Sequence, residues 1–270
     1  MLIDAHCHIW RLGENDHAWP IPDLAAIYRN FDLKDLAEAS ASSDLSGVVL
    51  VQSQPSARDT EWLLQVAAAD PLAVGVVGWT DLTAPDAPAR IGFLARNPRL
   101  KGLRPMLQDL PGDWILDPAL EPAIAAMIAA DLAFDALIKP RHLPHILTLV
   151  RRWPDLRLVV DHGAKPEIGE GRPDPWRDQI VALAELPGVH CKLSGLLTEA
   201  GDAPTADAVA PYAAHLLEVF GPDRLMWGSD WPVLNLAGDY AAWRALCATW
   251  VPPADHARVF GETARRFYRL

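Results

Sequence analysis

A (β/α)8 barrel of the α/β class, a TIM barrel, is the architecture this sequence predicts, and three observations predict it. Short apolar runs alternate with amphipathic, Ala- and Leu-rich segments along the whole chain. There are eight such runs at about 30 residues per unit, the arithmetic of strand–helix pairs in such a barrel. No glycine-rich phosphate loop follows the first run, which argues against the runner-up, a doubly wound open sheet.

The candidate strands are 2–9, 47–52, 73–79, 100–105, 133–138, 156–162, 189–194 and 224–228. Several are rich in Val, Ile and Leu without alternation, as strands covered on both faces are. Between them, 32–43, 58–69, 85–96, 118–130, 143–152, 176–186 and 206–220 read as helices, several opening near Asp or Pro start signals. Residues 240–266 read as one or two closing helices. No linker, low-complexity tract or internal repeat intervenes, so 1–270 is expected to form a single domain. Residues 11–30, with Trp19-Pro20-Ile21-Pro22, form a long first loop expected to lie over the barrel mouth.

Composition narrows the function classes. Half the residues are hydrophobic, ample for a large core. The 24 Lys and Arg against 35 Asp and Glu give a net charge of −11, without a basic block, so no footprint for nucleic acid or an anionic membrane is present. Cys7, Cys191 and Cys247 lie far apart and suit a reducing cytoplasm rather than a disulfide framework. Neither a signal-peptide pattern nor an apolar stretch of about 20 residues is found, so a cytoplasmic location without a membrane span is expected. A homo-oligomer is left open.

In such barrels the C-terminal strand ends open into the active site. Strict alternation in the first run sends Asp4, His6 and His8 to one side and Ile3, Ala5, Cys7 and Ile9 to the other. Alternation also turns Lys192 and Ser194 inward, with Val189, Cys191 and Leu193 facing the helices, and turns Arg104 and Asp230 inward. His6, His8, His162 and Asp230 then converge, because strands one and eight are neighbours in a closed barrel. Three imidazoles and a carboxylate suit one divalent ion such as zinc. The same set could instead hold a water with Asp230 as its base and no metal. Arg104 reads equally as a substrate anchor or an internal salt-bridge partner. Lys165 and Lys192 read as cations for a developing oxyanion or as partners of Asp161 or Asp81. Trp10, Trp19, Trp79 and Trp231 lie near strand ends. They read as core by default, with Trp10 and Trp79 as candidate aromatic walls of the site. His142 reads as a surface or supporting residue, and Cys7 as core rather than nucleophile.

Four motifs carry a resemblance: Asp-Ala-His-Cys-His-Ile-Trp (4–10), Val-Val-Asp-His-Gly-Ala-Lys-Pro (159–166), Cys-Lys-Leu-Ser-Gly (191–195) and Met-Trp-Gly-Ser-Asp-Trp-Pro (226–232). Together, and in this order, they resemble the amidohydrolase superfamily, its amidohydrolase 2 branch, and within that the sugar-lactonase-like group with L-fucono-, L-rhamnono- and pyrone-dicarboxylate lactonases. The resemblance implies a TIM-barrel hydrolase that opens the ester of a small sugar-acid lactone. It makes His6 and His8 the strand-one pair, His162 the later histidine and Asp230 the last-strand aspartate. The superfamily's bridging carboxylated lysine or glutamate has no clear counterpart, since Lys139 ends the fifth run but Pro140 follows it. Zero or one divalent metal is therefore implied. A decarboxylase of the same branch, a sugar-lactone isomerase and a non-catalytic sugar-binding barrel are the alternatives.

Overall fold

The computed structural model describes residues 1–270. Its strands are β1 (Leu2–Cys7), β2 (Leu45–Val51), β3 (Ala73–Gly78), β4 (Leu100–Leu103), β5 (Ala133–Ala136), β6 (Leu158–Val160), β7 (Val189–Leu193) and β8 (Leu225–Trp227). They form one sheet in sequence order, and every ladder is parallel. Helices α1 (Leu33–Ala39), α2 (Ala57–Ala69), α3 (Ala87–Leu94), α4 (Glu121–Ala129), α5 (Leu143–Arg152), α6 (Trp176–Ala184) and α7 (Ala206–Phe220) supply the crossovers, and α8 (Tyr240–Trp250) and α9 (Thr263–Tyr268) end the chain. The (β/α)8 barrel expected from the apolar runs is the fold observed. No helix is long and apolar enough to cross a membrane.

The interior divides by side-chain size. A narrow eight-stranded barrel has room for one layer of side chains at a time. Ile3, Ala5, Val49, Val51, Val77, Ala133, Val159 and Met226 fill it, together with Ala264, Phe267 and Tyr268 of α9. The larger cluster, with Trp227, Trp243, Phe31 and most of the leucines, lies between strands and helices.

The first strand departs from strict alternation. Ile3 and Ala5 belong to the inner layer, whereas Cys7 and Ile9 pack in the outer cluster. The ladder between β1 and β2 shifts register between Asp4 and Cys7. Such an irregularity resets which side chains face inward. Asp4 therefore does not join the histidines. Its Oδ1 accepts from the backbone N–H of Ser229 at 2.9 Å and of His6 at 3.1 Å.

The seam that shuts the barrel runs through the same residues. Beyond β8, the Asp230 N–H donates to the His6 carbonyl at 2.8 Å, and the His8 N–H donates to the Trp231 carbonyl at 2.7 Å. Gly228 makes this approach feasible, since a Cβ there would lie 2.7 Å from His6 Cβ and 3.1 Å from its backbone nitrogen. Gly228→Ala is expected to destabilise the fold by about 1–3 kcal/mol through overpacking at the seam, read as a lower urea midpoint with an unchanged m-value.

Candidate active site

After the register shift, His6 and His8 both turn into the mouth of the barrel. His8 Nδ1 is fixed by the Val51 carbonyl at 2.8 Å, and its Nε2 lies 3.1 Å from His6 Nε2. His162 arrives from the end of β6, on backbone that leaves the strand early. Residues His162, Gly163, Ala164 and Lys165 have φ of 54°, 58°, 65° and 51°. Each non-glycine residue in that left-handed region costs roughly 1–2 kcal/mol. Packing holds the turn: Trp176 Nε1 donates to the Gly163 carbonyl at 2.6 Å, and His162 Nδ1 lies 2.8 Å from Ser194 Oγ. Asp230 is left-handed too, with φ 58°. Strained backbone concentrated on functional side chains is a recognised feature of active sites.

Asp230 Oδ1 is the focus of the group. It lies 3.4 Å from His8 Nε2, 3.6 Å from His6 Nε2 and 3.9 Å from His162 Nε2. Burial alone would raise the Asp230 pKa, but attraction to His162 and the neighbouring His6 and His8 rings outweighs it and holds the carboxyl well below its usual range. Burial pushes the imidazoles the other way: His8 is lowered, His6 strongly so with Lys192 adding to the effect, and His162 falls to about 4. At neutral pH the site is one carboxylate among uncharged rings.

Beneath the histidines lies a buried ionic floor. Lys192 Nζ, fully buried, contacts Asp135 Oδ2 at 2.5 Å, Asp161 Oδ1 at 2.9 Å and His6 Nδ1 at 3.1 Å. The Tyr268 hydroxyl donates to Asp135 Oδ2 at 2.6 Å. Burial alone would raise Asp161, but Lys192 and His6 hold it well below the normal carboxylate range, while burial keeps Asp135 raised.

Above the histidines a cavity of about 660 Å³ opens, with His8, His162, Asp230, Arg104, Trp79 and Lys165 on its walls. Arg104 is clamped, with Nη2 donating to the Gln52 carbonyl and Gln52 Nε2 donating back to the Arg104 carbonyl at 3.0 Å. Its Nη1 lies 3.4 Å from His6 Nε2 and 3.7 Å from Asp161 Oδ2. Both sequence readings of Arg104, anchor and internal salt bridge, are thus compatible with its place. Lys165 pairs with Glu199 at 3.0 Å. The 11–30 loop reaches the cavity through Ala18 and Trp19, whose N–H groups donate to Gln54 Oε1 at 2.8 and 3.3 Å.

For two residues the structural one of the two sequence readings holds, ion-pair partner for Lys192 and core for Trp10, and the substrate-facing one gives way. Lys192 points inward but is fully buried and off the cavity wall, and its ammonium meets the carboxylates of Asp135 and Asp161. Trp10 is buried against Phe31 and Trp19, with its Nε1 donating to the Arg29 carbonyl at 2.8 Å, and forms no part of the wall. Asp135 and Tyr268 escaped the sequence reading. A lone carboxylate inside Ala133-Phe134-Asp135-Ala136 was a usable signal; Tyr268 carried none.

The donor set fits a single divalent ion. His6 Nε2, His162 Nε2 and Asp230 Oδ1 lie within 4.8 Å of one another, with His8 Nε2 alongside. Ligands bonded at about 2.1 Å in a tetrahedron stand about 3.4 Å apart; the His6–His8 and Asp230–imidazole separations of 3.1–3.9 Å come near this, while His6, His162 and Asp230 spread to within 4.8 Å. The mixed nitrogen and oxygen donors suit zinc.

The His162 ring is expected to stay uncharged down to a midpoint near pH 4, read by its ring-carbon NMR shifts; a midpoint between 6 and 7 would contradict the burial argument. An unfolded chain protonates its histidines near pH 6.5. The unfolded state therefore gains protons first, and this ring lowers stability as pH falls through that window.

Comparison with known proteins agrees with this geometry. The amidohydrolase family model matches residues 3–270. An L-fucono-1,5-lactonase of Burkholderia ambifaria is 52% identical over 276 residues, covering 99% of this chain and 95% of its own. An L-fucono-1,5-lactonase of Burkholderia multivorans is 33% identical, covering 99% and 96%. The crystal structure of an amidohydrolase from Burkholderia multivorans with bound zinc superposes with a TM-score of 0.94 at 32% identity, covering 100% of this chain and 99% of that one. The barrel, its mouth of histidines and its last-strand aspartate thus sit in a chain that belongs to the amidohydrolase family.

Proposed function

We propose that this protein hydrolyses the internal ester of a sugar-acid lactone, with L-fucono-1,5-lactone the first substrate to test. One observation carries the reading: a single carboxylate oxygen faces three imidazole nitrogens within 3.9 Å, at an open cavity. Two relatives named for that activity support it.

In this reading a water sits against Asp230 Oδ1 and the imidazole edges. Asp230 accepts a proton as the water oxygen bonds to the lactone carbonyl carbon. The ring C–O bond then breaks, and the proton passes from Asp230 to the departing ring oxygen, leaving the open hydroxy acid. A carboxyl held this far below its usual range is a weak base, so the developing negative charge needs stabilising. Arg104 is placed to do this at the carbonyl oxygen, with Lys165 behind it on the cavity wall. Trp79 and Trp19, both on the cavity wall, offer flat apolar faces to a sugar ring. A divalent ion held by His6, His8, His162 and Asp230 would lower the pKa of the water and polarise the carbonyl.

Proton release on a panel of aldonolactones tests the reading. Turnover of 1,5-lactones is expected; no lactone turnover, with CO2 released from carboxylated aromatic acids instead, would replace it with the decarboxylase. Asp230→Asn is expected to lower kcat by about 10²–10⁴-fold with the melting temperature retained. Arg104→Lys keeps the charge but loses the planar fork, and should lower kcat/KM while leaving the fold intact.

A further inference from the structure

The hydrogen bonds between the rings have a direction that the geometry determines. The Val51 carbonyl can only accept, so His8 carries its proton on Nδ1, 2.8 Å away. An uncharged His8 then presents a lone pair at Nε2. His6 Nε2 lies 3.1 Å from that lone pair, so the proton between them belongs to His6. An uncharged His6 with a proton on Nε2 has its lone pair on Nδ1, and there the Lys192 ammonium stands at 3.1 Å. An ammonium has three hydrogens and accepts none. Lys192 has two hydrogen-bond acceptors, Asp135 Oδ2 and His6 Nδ1, and an ion-pair contact with Asp161 Oδ1 at 2.9 Å. From Lys192 through His6 and His8 to Val51, each contact then pairs one donor with one acceptor.

We propose that Lys192 is a positioning residue that locks His6 as the Nε2–H tautomer, and that this lock opposes the loading of a metal ion on the site. The positions of the donors suit an ion, but the proton on His6 Nε2 occupies the lone pair the ion needs. Moving that proton to Nδ1 brings it against the Lys192 ammonium, with only Asp161 Oδ1, at 3.4 Å, to receive it. A metal-bound histidine ordinarily hands its second N–H to a carboxylate or carbonyl; here a cation holds the nearest place. Arg104 Nη1, 3.4 Å from His6 Nε2, pulls toward the opposite tautomer. That contact is longer than the 3.1 Å to His8, and the Arg104 guanidinium is already engaged by Gln52 and Asp161.

The test is a long-range ¹H–¹⁵N correlation on histidine-labelled, metal-free protein at neutral pH, with His6 assigned by its loss in His6→Gln. The expected pattern is a protonated, pyrrole-type Nε2 and a bare, pyridine-type Nδ1 on His6, with the reverse on His8. A pyrrole-type Nδ1 on His6 overturns the proposal. In a second arm, Lys192→Met combined with Asp135→Asn removes one charge of each sign from the floor. His6 is then expected to shift its proton to Nδ1, facing Asp161, and zinc affinity by calorimetry to rise about tenfold or more. A folded double variant with unchanged tautomer also overturns it, because charge removal alone would tighten zinc without moving the proton. Should that variant not fold, the wild-type spectrum decides. Neither arm reads turnover, so its failure is separate from failure of the lactonase reading, on which it does not depend.

Discussion

A lysine buried with no solvent contact needs partners on every side, and the way this protein supplies them organises the rest of the site. Lys192 comes from β7, Asp135 from β5, Asp161 from the end of β6, His6 from β1 and Tyr268 from α9. One ammonium ties β7 to β5, to β1 and to the end of β6, and α9 joins through Asp135. Removing one partner from such a buried group typically costs about 3–5 kcal/mol, because the remaining charge is stranded. The floor thus works as a clamp on strand positions as much as an ion pair. It separates the small apolar residues of the barrel waist from the open cavity above the histidines.

The side chains above that floor are held by backbone that is costly to form. The left-handed turn from His162 to Lys165 and the left-handed Asp230 are each secured from outside the site, by Trp176, by Ser194 and by the seam between β1 and the segment after β8. Gly195 also has positive φ, at +63°, and a Cβ there would stand 2.5 Å from His162 Nδ1, so the neighbouring strand end leaves the ring no slack. This rigidity suits a reaction in which one carboxylate oxygen must serve a water held among three rings, where small displacements weaken proton transfer.

The barrel was legible because its signal is repetitive: eight apolar runs at near-constant spacing leave few alternatives. Alternation placed Lys192 and Arg104 inward correctly, but it gives the direction of a side chain and not its depth, so Lys192 could not be told from a cavity residue. The same rule failed in β1 because of the register shift after Asp4, where the strand also meets residues 228–231, far away in sequence. Trp10 was misplaced for a related reason, since its burial depends on Phe31 returning beside it as an isolated bridge. Tyr268 has no local motif; its role arises from where α9 docks.

The site is also a statement about how the chain must fold. Ser229 reaches Asp4 across 225 residues, Lys192 reaches His6 across 186, and Tyr268 reaches Asp135 across 133. Contacts of such span form slowly, because loop closure precedes any gain from the contact. During synthesis β1 emerges ahead of the other strands with its paired histidines, and the floor beneath it is completed only once Lys192 of β7 and then Tyr268, the last residue of α9, have followed. Until then the nascent barrel carries unmatched carboxylates and an unsealed seam between its first and last strands, the stage at which a chaperone would find it most exposed.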